Sequence, residues 1–135
     1  MAGILLVDST PFDGNYTGTA VSNNIIDATS FPIRVGIGLG AAVWSDDTDT
    51  ILTGGSVTEN VMRGLHMGFG IAASGLLNWK IMENWSEARH SGVRTKRCFD
   101  EPINPSPVAF LYNKKTIGGS EIQEDFVDGE FAYGA

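Results

Sequence analysis

The sequence predicts an all-β fold: a small glycine-rich β-barrel or sandwich with extended terminal arms and at most one or two short helices, with an α+β fold as the alternative. Short apolar runs separated by turn residues recur along the chain, which is the pattern of a domain with many strands. Glycine accounts for 17 of the 135 residues, against a usual share of about 7%. Hydrophobic residues make up 42% and charged residues 19%. This balance excludes a disordered chain, and the length fits one domain.

Three segments are predicted along the chain: an N-terminal arm and turn at 1–15, a β-rich core at 16–115, and an acidic, aromatic tail at 116–135. Extended segments are expected at residues 4–7, 16–21, 31–45, 51–53, 67–79 and 108–112. Pro11 and Gly14 favour a turn after the first of them, because proline presets φ and glycine accepts positive φ. Residues 56–65 are ambiguous, since Thr58 could cap a short helix there.

Two stretches alternate glycine with apolar residues. Gly36, Gly38 and Gly40 leave one face of their strand without side chains, which indicates a bend or close packing against another backbone. A similar pattern at Gly68 and Gly70 suggests a duplicated hairpin. The first stretch also has the glycine spacing of a dinucleotide-binding turn, but the sequence after it does not continue as the required helix. No cofactor is therefore expected.

Charge is unevenly distributed around a net value of −7. Residues 1–62 and 116–135 are acidic, whereas residues 63–115 are net basic. A net-acidic domain binds nucleic acid poorly, because the phosphate backbone is bound mainly through Lys and Arg. The basic cluster Arg89, Arg94, Lys96 and Arg97 is therefore predicted to meet an acidic protein surface or a neighbouring copy. An ordinary solvated surface is the alternative.

Catalytic and metal-binding patterns are weak, and the chain is not expected to be an enzyme. Cys98 is the single cysteine, so no internal disulfide can form. His90 and Cys98 supply the residue types of a thiol nucleophile, but the sequence does not bring them together, and a structural cysteine is favoured. The residues Asp46, Asp47 and Asp49 lack the pattern of an EF-hand, so an acidic turn is favoured over a calcium site. No apolar run is long enough to span a membrane.

The predicted partner-binding residues lie in the two arms as well as in the basic cluster. In the N-terminal arm, Ile4, Leu5, Leu6 and Val7 could add a strand to a neighbour's sheet edge. In the tail, the aromatic residues are predicted either to dock onto a partner or to fold back as a last strand; these residues are Phe126, Phe131 and Tyr133. A further hypothesis is a glycan- or ligand-binding module in which Trp44, Trp79 and Trp85 act as stacking platforms.

Four glycine-punctuated segments carry a resemblance to a known family: GAAVW at 40–44, ILTGG at 51–55, VMRG at 61–64 and GIAASG at 70–75. Their order resembles the small β-rich capsid decoration, or cement, proteins of tailed bacteriophages. The resemblance implies a non-enzymatic virion protein, assembled in the host cytoplasm, that binds copies of itself and a major capsid or other virion protein. It implies no direct contact with nucleic acid or membrane. A tail, collar or fibre component of such a particle is the alternative.

Overall fold

The computed structural model describes residues 2–8, 13–31, 33–40, 50–64, 67–87, 110–113 and 117–129. These residues form fourteen strands and no helix. The strands are β1 (Ala2–Leu6), β2 (Ala20–Ser22), β3 (Ile25–Asp27), β4 (Ile33–Leu39), β5 (Leu52–Thr53), β6 (Ser56–Thr58), β7 (Val61–Arg63), β8 (Met67–Ala73), β9 (Leu76–Leu77), β10 (Lys80–Met82), β11 (Trp85–Ser86), β12 (Phe110–Tyr112), β13 (Glu121–Ile122) and β14 (Val127–Asp128). The all-β prediction is confirmed. The helix considered after Thr58 is wrong, because that segment forms β6 and β7.

Every strand pair in the described part of the chain is parallel. The strands form a five-stranded sheet (β1-β4-β8-β12-β14), a four-stranded sheet (β13-β10-β6-β2), a three-stranded sheet (β11-β7-β3) and a two-stranded sheet (β5-β9). In the described residues the chain visits these sheets in one cyclic order and returns to each sheet one strand further along. The first coil has no strand in the two-stranded sheet, and the last has none in the two-stranded or three-stranded sheet. The chain therefore winds as a solenoid of stacked coils. The described sheets do not close into a barrel, which the sequence had favoured together with a sandwich.

The two glycine-alternating stretches lie side by side as β4 and β8. Val35 pairs with Phe69 and Ile37 with Ile71, which places Gly36 beside Gly70. The suggested duplication is thus a repeat of one coil, with parallel neighbours and not the two arms of a hairpin. Close packing explains one glycine directly, since a Cβ on Gly68 would lie 2.7 Å from the carbonyl oxygen of Arg34.

The main core fills the inside of the coils mainly with aliphatic side chains, together with Trp79 and the aromatic residues Phe110, Tyr112 and Phe126. Trp79 is 2% exposed, and its indole Nε1 donates a 2.8 Å hydrogen bond to the carbonyl oxygen of Leu52. The ring centroid of Tyr16 lies 5.7 Å from that of Trp79. This hydrogen bond satisfies the one polar group that burial of an indole would otherwise leave without a partner.

The central strands of the five-stranded sheet, β4, β8 and β12, are largely buried on both faces. Ala72 and Ala73 are neighbours in β8 and point to opposite faces, yet both have no exposed surface. Ala72 and Leu111 alternate with main-core residues, so they lie on the face away from the main core, and they belong to a second cluster that also contains Val35 and Phe69. The runs of apolar residues in β4 and β8 are what a parallel strand covered on both sides requires.

A ladder of asparagines joins the coils at the turn between the four-stranded and three-stranded sheets. The Oδ1 atom of Asn60 accepts hydrogen bonds from the backbone N and Nδ2 of Asn24, at 3.1 and 2.9 Å. The Oδ1 atom of Asn84 accepts in the same way from the backbone N and Nδ2 of Asn60, at 3.1 and 2.9 Å. The ladder fixes the register of three successive turns.

The residue before each ladder asparagine has a left-handed backbone. The φ angles are 57° at Asn23, 56° at Glu59 and 60° at Glu83. None of these residues is glycine, so each position carries a conformational cost that the ladder must offset. The repeated geometry sets the angle at which the chain enters the three-stranded sheet, and it projects exposed side chains beside that sheet.

Candidate interaction surface

The outer face of the three-stranded sheet is the candidate site, because it carries two of the exposed large apolar side chains of the described residues in a single row. The central strands of the five-stranded sheet are largely buried, as described above. The outer face of the four-stranded sheet carries mainly small and polar residues, namely Ala20, Ser56, Lys80 and Glu121 in one row and Ser22, Thr58, Met82 and Gln123 in the next. Such a face is typical of a solvated surface.

An apolar row crosses the outer face of the three-stranded sheet. Ile25 pairs with Val61, and Val61 pairs with Trp85, so that the three side chains lie in register on successive coils. Ile25 is 62% exposed and Trp85 is 64% exposed. With neighbouring strands about 4.8 Å apart, the row is about 10 Å long. An exposed tryptophan and isoleucine held by rigid strands are typical of a binding anchor.

Charged residues border the apolar row on both sides. The left-handed turn places exposed Glu59 and Glu83 on one side. On the other side Asp27 pairs with Arg63 in register, and Glu87 follows on the next coil. These five residues carry a net charge of −3 at neutral pH. The row is therefore a narrow apolar strip within an acidic border.

Asp27 is the most strongly stabilised carboxylate of the border. Hydrogen bonds from the side chain and backbone N–H of Thr29, together with a hydrogen bond from Arg63, lower the pKa of Asp27 to about 2. The Thr29 backbone N lies 2.8 Å from Oδ1, and Arg63 Nε lies 2.9 Å from Oδ2. Both side chains are well exposed, so this ion pair fixes the orientation of Arg63 more than it stabilises the fold.

The N-terminal end of the stack presents the edge of β1. The carbonyl oxygen of Leu6 accepts a 3.0 Å hydrogen bond from the backbone N of Gly40, so the peptide groups of Leu6 point toward β4. Because the peptide groups of successive residues in a strand point in opposite directions, those of Leu5 point toward the other edge of β1. No described strand pairs with that edge. At Val7 the Tyr16 hydroxyl closes the edge: it accepts from the backbone N at 3.2 Å and donates to the carbonyl oxygen at 2.6 Å.

A comparable side-chain cap lies at the β11 edge of the three-stranded sheet. The backbone N of Asn84 donates to Oε1 of Gln123, and Nε2 of Gln123 donates to the carbonyl oxygen of Asn84, both at 2.9 Å. One glutamine amide thus replaces a neighbouring strand. Beyond the cap, the Oγ atom of Ser86 is buried without a hydrogen-bond partner in the described part of the chain.

The structure places the predicted N-terminal residues within β1 and directly after it. Ile4 and Leu6 contribute to the main core, whereas Leu5 and Val7 are half-buried. Phe126 of the tail is 8% exposed and stacks on Phe110 with ring centroids 5.0 Å apart. This part of the tail folds back onto the domain, so Phe126 is a core residue and not an exposed anchor.

The remaining sequence predictions divide into described and undescribed positions. Trp79 is buried and cannot be a stacking platform, whereas exposed Trp85 can. The other residues of interest lie outside the described residues: Trp44, Asp46, Asp47, Asp49, Arg89, His90, Arg94, Lys96, Arg97, Cys98, Phe131 and Tyr133. Sequence reasoning considered Trp85 but missed Ile25 and Val61, because only the strand register shows that the three residues are neighbours.

Comparison with known proteins finds no matching family model, curated protein or solved structure. Within the described ranges, no three His, Cys, Asp or Glu side chains come together in a group that could hold a metal ion. The same ranges contain no helix of the length and apolarity needed to cross a membrane.

Proposed function

We propose that this chain is a structural virion protein that associates with copies of itself and binds a viral shell, as a capsid decoration protein does. The observation that carries the proposal is the solenoid itself, whose sheets end in strands with no strand partner on one edge in the described residues, among them β1 of the five-stranded sheet and β11 of the three-stranded sheet. Unpaired edges are templates for strand addition. The resemblance of the glycine-punctuated segments supplies the particle context.

The two side-chain caps define where association would occur. Tyr16 occupies the β1 edge at Val7, and no described strand pairs with the peptide groups of Leu5. Gln123 occupies the β11 side at Asn84, and no described strand pairs with the edge at Ser86. A partner strand would therefore pair over a short stretch, which gives contacts that become strong only when many copies bind together.

Two other functions remain candidates. A tail, collar or fibre component would use the same strand edges, and co-purification with heads or tails separates it from a decoration protein. A glycan-binding module is favoured by one observation, the 64% exposure of Trp85 beside carboxylates. Titration with oligosaccharides while Trp85 fluorescence is recorded tests this second function.

Self-association is tested by the solution mass of the full chain, measured by light scattering across a dilution series. We expect a discrete oligomer or a mass that rises with concentration above 14.4 kDa. Leu5→Lys puts a charge on the β1 edge and should shift the series toward monomer. Thr58→Lys adds the same charge on the interior strand β6 and should leave the series unchanged. A compact monomer at every concentration would refute self-association of the free chain.

A further inference from the structure

We infer that the outer face of the three-stranded sheet is a docking surface for an extended cationic segment of a second protein. The inference deepens the proposed function, because it assigns the shell partner to this face and self-association to the strand edges. Aliphatic parts of the partner would lie along Ile25 and Val61. An arginine or lysine would stack on the face of Trp85, where a cation is attracted by the ring.

Charge identifies the kind of partner. Within the described residues Asp27 forms an ion pair with Arg63, whereas Glu59, Glu83 and Glu87 have no ion pair. These three carboxylates flank the apolar row on both sides, so an occupant with positive charges on either side of an apolar strip would match it. A second copy of the same face would bring two acidic borders together, and a nucleic acid would bring its phosphates against them.

The width of the row identifies the shape of the partner. One residue per coil is apolar, and both neighbouring rows are charged or polar. A stable interface between two globular surfaces buries about 800 Å² on each partner, which requires many more residues than this row provides. An extended segment needs only a narrow track with anchors at intervals, and the row provides such a track over about 10 Å.

The electrostatic part of the binding is exposed to solvent. Exposed ion pairs are individually weak and are screened by salt, so affinity should fall as ionic strength rises. The apolar contact with Trp85 should persist at high salt. This division between a salt-sensitive and a salt-resistant contribution is a signature that a purely ionic or a purely apolar contact would lack.

The experiment uses the full chain and a synthetic peptide of alternating arginine and valine, with a peptide of alternating glutamate and valine as its control. Binding is measured by calorimetry and by tryptophan fluorescence. We expect the arginine peptide to bind and the glutamate peptide not to bind. The combination E59Q, E83Q and E87Q should weaken binding about tenfold, and Trp85→Ala should weaken it about fivefold.

A matched variant separates the site from general charge attraction. The combination D8N, E121Q and E124Q removes three exposed carboxylates elsewhere, so it has the same net charge as the site variant. We expect it to bind the arginine peptide within about twofold of the original chain. Equal weakening by both triple variants would overturn the inference, and so would tighter binding of a neutral oligosaccharide than of the peptide.

The same variants separate this inference from the proposed function. Self-association is read from the dilution series, and the site variants should leave that series unchanged. If the chain is monomeric but binds the arginine peptide through Trp85, self-association fails and the docking surface stands. If the chain self-associates and Trp85→Ala abolishes the oligomer, the face is an interface between copies and the inference of a cationic partner is wrong.

Discussion

Replacing Asn60 with alanine should destabilise the protein more than the same change at Asn24, the first member of the asparagine ladder. Asn60 has no exposed surface and occupies the middle position. Its Oδ1 accepts two hydrogen bonds from Asn24, and its Nδ2 donates to the carbonyl oxygens of Val21 and Thr58 and to Asn84 Oδ1. Alanine removes these bonds, and the partly buried backbone N of Asn24 and carbonyl oxygen of Val21 lose the amide that they contact.

The magnitude follows from the number of bonds that the amide can make at once. An amide has two N–H donors and two acceptor lone pairs, so about four bonds are lost, and each contributes about 1 kcal/mol net. Asn60→Ala should therefore lower the free energy of unfolding by about 3–4 kcal/mol. Asn24→Ala should lower it by about 1 kcal/mol, because Asn24 is at the end of the ladder and water can replace its bonds to Ser22 and Asn60.

Equilibrium unfolding in urea, followed by the fluorescence of buried Trp79, measures both variants. With an m-value of about 2 kcal/mol per molar, the midpoint should fall by about 1.5–2 M for Asn60→Ala and by about 0.5 M for Asn24→Ala. Equal losses at the two positions would refute the reasoning, because they would show that the ladder's interior and end are equivalent. A loss below about 1 kcal/mol at Asn60 would show that its bonds are dispensable.

Three further predictions concern single positions. Gly40→Ala should lower the free energy of unfolding, measured by thermal unfolding, by about 3 kcal/mol, because the φ of Gly40 is 95° and a Cβ would overlap the carbonyl of Ser74. Gly18 has a φ of 83° and nothing within 4 Å of a Cβ. Gly18→Ala should therefore lower the same free energy by only about 1 kcal/mol. Trp79→Phe should lower the free energy of unfolding by about 1–3 kcal/mol by leaving the buried carbonyl of Leu52 without its donor; no change would mean that another donor replaces the indole. The pKa of Asp27 is lowered to about 2 from 3.8, so the contribution of its charge to stability is present above pH 3.8 and is lost as pH falls toward 2. The difference in Tm between the original chain and Asp27→Asn should shrink over that range. A constant difference in Tm would contradict the lowered pKa.

Local features of the fold were predictable from the sequence, because apolar runs bounded by glycine and polar residues determine strands directly. The expected strand near 51–53 corresponds to β5, and the expected strand near 108–112 corresponds to β12. Parallel stacking was not predictable, because the coils differ in length. Successive ladder asparagines are 36 and then 24 residues apart, so no fixed period marks the repeat.

The candidate surface was only partly predictable for the same reason. Trp85 attracts attention as a tryptophan near charged residues, but Ile25 and Val61 look like ordinary strand residues. Their exposure depends on which face of a three-residue strand points inward, and Ile26 and Met62 occupy the inner positions. That choice is made by contacts between distant coils, which a single sequence does not display.

The stacked arrangement also determines how disorder would spread through this molecule. Each coil pairs only with the coils before and after it, so stability is distributed along one dimension, as in other repeat architectures. Unfolding can therefore begin at an end and advance coil by coil. Each partly unfolded form is a shorter stack that exposes a fresh strand edge with the same geometry as the native one. Addition of a partner's strand and unfolding of the terminal coil therefore compete at the same strand edge, at the end of the stack.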